Sequence, residues 1–322
     1  SSGFWFELRL RGTRTHLVDF EDPRYINLGS FENNVAHSND DRGFRSYPNG
    51  YMPDEVANIY GFRSYRNKKK GLFFHNTENV AIKNSMFADN SVAVDLDRSE
   101  NITVTDTTII GRTDLYSELE YFQSAPSLCY GDELLGMELH TFVRKSKNNG
   151  AVIDVTFDGF EESTCGRVAH LTLDNEMRLG TFDWFTTLER ISFSGQPMLI
   201  DFCPASNAGI VDAYLTDIDG SVRELDDGMS RPGTIISNSA VMTSFLDMSK
   251  CLTKQEGCYA YCDVCFRTVR FDIDPSGTTG YELQVCEESG SPCVRIGGAT
   301  DPTQPSTSSS NYRVYNAHLP PG

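Results

Sequence analysis

No cysteine precedes Cys129, so the N-terminal part of the chain must hold its fold by packing and hydrogen bonding alone. Basic residues are scarce: 28 Lys and Arg stand against 45 Asp and Glu, a formal net charge of −17. That balance argues against general nucleic-acid binding, because a phosphate backbone needs a basic footprint. No apolar run reaches the length that spans a bilayer, and few stretches carry a helical period. No Asn-Gly hairpin pair separates the strand-like segments of residues 79–111. With 39% hydrophobic residues the chain is nevertheless rich enough to fold, and its 26 Gly, 20 Phe and 14 Tyr favour strands and turns. The opening Ser1-Ser2-Gly3-Phe4-Trp5-Phe6 and the closing Leu319-Pro320-Pro321-Gly322 read as interior points of a longer chain. Any export signal or membrane anchor is therefore expected outside this stretch.

The charge is uneven. Residues 1–70 hold 11 Lys and Arg against 9 Asp and Glu, a net of +2, which leaves −19 for the rest. An anionic partner at the N-terminal part is one reading, and ordinary surface variation is the other.

What the chain does have is a repeat. Asn79-Val80-Ala81-Ile82 and Asn101-Ile102-Thr103-Val104 lie 22 residues apart, each after a polar turn and each followed by another strand-like stretch. Between them Val92-Ala93-Val94-Asp95-Leu96 alternates with period two. Three short strands in each repeat of this length fit one coil of a right-handed parallel β-helix, whose coils stack about 4.8 Å apart around a shared core. Residues 151–160, 188–195 and 209–217 carry the same pattern at longer spacing, which predicts coils with loop insertions, the largest near 112–148 with a short helical turn at 117–122. The alternative is an antiparallel β-sandwich. After about residue 245 the character changes. The chain is thus expected to be all-β, with a β-helix over 1–245 and a small Cys-rich, sandwich-like and incomplete β module over 246–322, including strands near 268–274, 281–286 and 311–318.

Six of the nine cysteines crowd into that last segment: Cys251, Cys258, Cys262, Cys265, Cys286 and Cys293. They are disulfide candidates and point to an oxidising compartment. Zinc is the rival, since Cys262 and Cys265 form a C-x-x-C, but Cys286 and Cys293 are spaced too widely to make a second close pair. Nine is odd, so one thiol is free or pairs elsewhere.

Several stretches resemble the extracellular β-helix proteins related to CEMIP and fibrocystin-L. Gly3-Phe4-Trp5-Phe6 is similar to that group's entry strand, and Phe31-Glu32-Asn33-Asn34-Val35-Ala36-His37-Ser38, followed by Gly43, to its Phe-x-Asn-Asn-x-Ala-His-Ser…Gly segment. Phe62-Arg63-Ser64-Tyr65-Arg66-Asn67, followed by Gly71, looks like the next coil, and Thr216-Asp217-Ile218-Asp219-Gly220-Ser221 resembles the Thr-Asp-x-Asp-Gly-Ser segment. The resemblance covers about residues 3–225. It implies a secreted or cell-surface protein that deals with polysaccharide, as a binding or adhesion module or as a hyaluronidase-like depolymerase. It carries no catalytic residue onto this chain. The absence of cysteine before Cys129 departs from the group's pattern.

Candidate site residues follow from residue chemistry. His37 and His75 suit acid–base work or sugar contact, although for His37 a turn within a ladder of Asn side chains is the better reading. Arg42, Arg45, Arg63 and Arg66 fall on consecutive expected coils and would bind the carboxylate or sulfate of an anionic glycan if aligned. Lys68, Lys69 and Lys70 read better as a solvated turn. The repeated Gly-Phe-Arg-Ser-Tyr at 43–47 and 61–65 does not match the coil period. Asp217 and Asp219, before Gly220, are weak calcium candidates for which turn chemistry is the simpler account; no other cofactor is expected. Asp89, Asp95, Asp97 and Asp106 are equivalent candidates for glycoside chemistry. Asn101-Ile102-Thr103 is the sole N-glycosylation sequon. The expected partners are polysaccharide, anionic in particular, or other surface proteins; a purely structural surface-fibre component is a further alternative.

Overall fold

The computed structural model describes residues 1–8, 22–114, 129–139, 150–160, 165–173, 184–194, 199–203, 213–222, 231–238, 248–254, 256–263, 267–273, 282–285, 294–298 and 313–319. Their regular structure is almost all strand, so the chain is all-β, and its main sheets are parallel.

The first sheet runs, in chain order, through Ser2–Phe6, Arg42–Ser46, Lys70–His75, Val92–Asp97, Glu133–Leu139, Arg167–Leu173 and Ile200–Asp201. The second runs through Phe31–Glu32, Ala57–Tyr60, Glu78–Lys83, Glu100–Ile110, Gly150–Asp158, Trp184–Glu189 and Ala213–Asp217. A third strip of short strands, Val35–His37, Arg63–Tyr65 and Met86–Ala88, joins the far end of Glu100–Ile110. The chain therefore visits the three ladders in rotation. The 22-residue echo is a true pairing: Val80, Ala81 and Ile82 face Ile102, Thr103 and Val104. Gly150–Asp158, Trp184–Glu189 and Ala213–Asp217 follow on the same ladder, through Val104 with Val152, Val152 with Leu188, and Leu188 with Asp217.

Alternation decides which side chains fill the interior. On the first sheet Phe4, Phe44, Leu72, Val94, Met137 and Leu171 stack in register and face the core. Phe44, Phe62, Phe74, Phe87 and Phe157 are fully buried, each worth about 2–3 kcal/mol of transfer free energy. At the corners the chain must turn sharply. Asn33, Asn84, Asp106, Asp154 and Arg190 take left-handed φ at one corner, as do Ser38, Arg66 and Asp89 at another. Asn and Asp dominate because their short polar side chains tolerate that region. Asn79 and Asn101 share it, with φ of 57° and 50°, and Asn101 Nδ2 donates to Asn79 Oδ1 at 2.7 Å.

Inside one corner runs an amide ladder. Asn39 Nδ2 donates to Asn67 Oδ1 at 2.8 Å, and Asn67 Nδ2 donates to Asn90 Oδ1 at 3.1 Å. Gly43 lies against it, where a Cβ would come within 2.0 Å of Ser64 Oγ.

Two expectations need adjustment. Residues 112–148 are not simply a loop: Glu133–Leu139 is a strand of the first sheet, because its apolar positions match the inward columns. Residues 117–122 lie outside the described residues. The segment expected to begin a separate module at 246 starts on the second sheet instead. Gly233–Ser237 pairs antiparallel with Ala213–Asp217, and Tyr259–Cys262 and Cys251–Lys254 extend the same sheet. Beyond it, Arg267–Ile273 pairs with Arg313–Leu319 and Glu282–Val285 with Val294–Gly298, both antiparallel.

Among the described residues three disulfides join Cys129 to Cys165, Cys203 to Cys258 and Cys251 to Cys262. With Cys262 committed to Cys251, the C-x-x-C is not a pair of free thiolates for zinc. Cys265, Cys286 and Cys293 lie outside the described residues.

Two predictions test these interior contacts. Asn67→Ala strips both amide partners from the corner ladder and should cost about 2–3 kcal/mol, read as a lower urea midpoint. His170 is buried against Phe157 and Phe160, and its Nδ1 accepts the Leu199 N–H at 2.7 Å. Burial lowers its pKa to about 4, below the usual value near 6.5, so folding favours the neutral ring. The stabilisation is complete above about pH 6.5 and is lost as pH falls towards 4, by roughly 3 kcal/mol. A His170→Gln variant should lack that part of the acid sensitivity in unfolding measured across the same range.

Candidate functional site on the outer face of the first sheet

Strict parallel register builds columns on the outer face as it does inside. Trp5, Arg45, Phe73, Asp95, Glu138, Thr172 and Asp201 stack in one outward column, successive members about 4.8 Å apart. A second column holds Arg42 and Lys70 and continues with Val92 and Leu135. Beside them, His75 faces Asp97.

The first half of this face is aromatic and cationic. The Arg45 guanidinium carbon lies 4.9 Å from the Trp5 ring centre and 4.6 Å from that of Tyr47, so it is held between two rings. Arg42 sits 4.5 Å over Phe73. Such contacts are worth about 0.5–1 kcal/mol each at exposed sites and keep the cations extended along the sheet. Trp5 Nε1 donates to the Tyr47 carbonyl at 2.8 Å, which anchors the indole while 51% of Trp5 stays exposed. Asp41 takes Arg42 Nη1 at 2.6 Å and lies 3.6 Å from Arg45 Nη1. The Nε atoms of both arginines are buried without a hydrogen-bond partner.

The second half is a charged nest. Lys70 Nζ bonds Asp95 Oδ2 and lies 3.0 Å from Glu138 Oε2. Burial opposes its charge, but the two carboxylates outweigh burial and hold its pKa above the ordinary lysine value. Arg167 reaches Asp201 at 2.6 Å and Glu133 at 3.3 Å. Burial raises the Glu133 pKa, with Glu138 adding to the effect against Arg167 and Lys70. His75 Nδ1 bonds Asp97 Oδ2, and the His75 ring stands edge-on to Tyr47 at 5.2 Å.

The five residues singled out for glycan binding do not form one strip. Arg42 and Arg45 belong to this face, whereas His37, Arg63 and Arg66 lie on or beside the third strip. His37 stacks on Tyr65 at 5.0 Å and touches Ser38, and Arg66 Nε lies 3.8 Å from Asp89. The two Gly-Phe-Arg-Ser-Tyr copies sit on different ladders, which is why their spacing misses the coil period. Lys70 departs from the expected solvated turn, because register carries it onto the sheet between two carboxylates. Lys68 and Lys69 do lie in the turn, over the Tyr130 ring.

The four aspartates also separate. Asp89 and Asp106 occupy left-handed corners, and Asp89 accepts from Thr113; Asp95 and Asp97 lie on the outer face. Asp217 is buried and accepts Gly220 N–H, Val222 N–H and the Tyr261 hydroxyl, while Asp219 accepts Ser221 and Arg190 N–H. Those are turn contacts, and no cluster of three or more metal-ligating side chains occurs among the described residues. The Asn101 amide is engaged by Asn79, a bond that a glycan on Nδ2 would have to displace.

Trp5, Tyr47, Phe73 and Glu138 were not among the site residues expected from the sequence. His75 and Asp97 are separated by the same 22 residues as Asn79 and Asn101, so the repeat already contained the signal that they stack. Comparison with known proteins gives no match, either to a protein family or to a curated protein. Three disulfides indicate an oxidising environment, and no helix among the described residues is long and apolar enough to cross a membrane.

Replacing Lys70 with Met tests the charged nest. It leaves Asp95 facing Glu138 without their shared cation and should lower stability by about 3 kcal/mol in denaturant unfolding. Lys70→Arg should lose less.

Proposed function

We propose that the chain is part of a secreted or cell-surface protein, a right-handed parallel β-helix whose first sheet binds an anionic polysaccharide on its outer face. Rotation of the chain among three parallel ladders supports the solenoid, and its hand follows from the chirality rule for parallel crossovers. The reading agrees with the motifs that resemble the CEMIP and fibrocystin-L group. The observation that carries it is the Trp5–Arg45–Tyr47 stack, with Arg42 over Phe73 alongside.

Sugar rings pack their C–H faces on exposed aromatics, and a guanidinium pairs with a carboxylate or sulfate through two parallel hydrogen bonds. The first rungs of the sheet offer both, with Trp5 and Tyr47 exposed beside Arg45. The net charge of −17 does not oppose this, since charges beyond about 8 Å are largely screened at physiological salt.

Binding of hyaluronan and heparan sulfate oligosaccharides, with an uncharged glucan of equal length as control, tests the proposal by calorimetry. Wild-type protein should bind an anionic chain, more weakly as salt rises, and Trp5→Ala or Arg45→Ala should each weaken binding about tenfold with the fold intact by circular dichroism. Equal affinity in both variants, or no binding of any anionic chain, would overturn it.

A further inference from the structure

The charged nest on the outer face holds the parts of a condensation as well as those of an ion pair. Lys70 Nζ bonds Asp95 Oδ2 and lies 3.0 Å from Glu138 Oε2, so one amine touches two carboxylates. Register produces the trio: Phe73, Asp95 and Glu138 stand in one column on three successive rungs, and Lys70 begins the strand that carries Phe73. Asp95 and Glu138 are both buried. Apolar groups close the site. Lys70 Nζ lies 5.4 Å from the Phe73 ring centre, and the column that continues from Lys70 is Val92, Leu135 and Ala169, a buried apolar cluster.

The neighbouring ion pairs differ. Arg167, between Asp201 and Glu133, offers a guanidinium, whose delocalised charge makes it a poor nucleophile. Lys69 is an amine 3.1 Å from Asp41, but that carboxylate is shared with Arg42 and Arg45, whose fixed charges hold it ionised. In the trio two carboxylates share one ammonium, and burial opposes the Lys70 charge even though the carboxylates outweigh it. We infer that Lys70 and Asp95 condense, without help from another protein, to an intramolecular amide between Nζ and Cγ, with Glu138 carrying the proton from nitrogen to oxygen. This is a covalent modification of the chain itself and stands whether or not the outer face binds a glycan.

The step balances within the trio. A proton passes from the Lys70 ammonium to Asp95, which exchanges two buried charges for an amine and a neutral acid. The Nζ lone pair attacks Asp95 Cγ and forms the C–N bond. Glu138 takes one proton from nitrogen and returns it to the hydroxyl oxygen on Cγ; the C–O bond breaks and water leaves. Glu138 ends as it began, and the balance needs no oxidant, metal or nucleotide. Holding amine and acid in contact supplies the effective concentration that the reaction lacks between free molecules in water. The product ties Lys70–His75 to Val92–Asp97, adjacent rungs joined by a bond between residues 25 apart, within the cysteine-free part of the chain.

The test weighs the purified protein after reduction and denaturation, and maps a tryptic digest by tandem mass spectrometry. The wild-type chain should be lighter than its sequence by one water, with a branched peptide joining Lys70 to Asp95 and no cleavage after Lys70. Lys70→Arg and Asp95→Ala should each return the full mass, and Lys70→Arg, which keeps the cation, should stay folded by circular dichroism. Glu138→Gln should leave most chains at full mass over the same interval. Full sequence mass in the folded wild-type protein would overturn the inference. A lost water that maps elsewhere in the chain, or that persists in Lys70→Arg, would overturn it equally. Complete linkage in Glu138→Gln would overturn the part given to Glu138.

Discussion

Parallel pairing in strict register is the constraint on which the rest of this structure depends. Side chains alternate with a period of two, so a slip of one residue would turn every inward phenylalanine outward. Local polar contacts hold the register. Asn39, Asn67 and Asn90 stack within one corner, Asn79 and Asn101 bond at another, and the Ser99 hydroxyl accepts the Thr77 N–H between the same turns. Each such bond is modest alone. Their partners are buried or half-buried and repeat from turn to turn, so a slip would break many of them together.

The same register writes two faces at once. Inward, Phe4, Phe44, Leu72 and Val94 build a continuous core; outward, the identical pairing lines up Trp5, Arg45, Phe73 and Asp95. A charge gradient along the outer column follows directly. Arginines held on aromatic rings give way to carboxylates bridged by Lys70 and then to Arg167 with Asp201 and Glu133. Every one of these ions has an opposite charge within reach, which lets a polar strip persist at low exposure.

Much of the fold was legible because its repeat is local. The offset between Asn79 and Asn101 is the observed strand pairing, and the later apolar segments fall on the same ladder. Where the spacing lengthened, pattern alone misled: Leu134 to Leu139 lies in an expected insertion yet matches the inward columns of its neighbours. The outer face was harder to read. Trp5 reaches Arg45 through a spacing of 40 residues and Arg45 reaches Phe73 through 28, so no single period connects them. Chemically alike arginines were grouped together, but Arg63 and Arg66 sit beside another ladder, where Arg66 serves a left-handed corner.

The end of the parallel stack has a consequence for how the molecule comes apart. After Ala213–Asp217 the second sheet changes direction, and Gly233–Ser237 lies antiparallel against it. The Cys203–Cys258 bond then staples this reversed portion to the last strand region of the first sheet, while the Phe202 N–H donates to the Gly257 carbonyl at 2.7 Å. Stacked repeats ordinarily peel from whichever end is loosest. Here the terminal rungs of two ladders are joined covalently across 55 residues, so neither can detach without the other. Under oxidising conditions this end behaves as a welded seam, and it becomes a point of entry for unravelling once the bond is reduced.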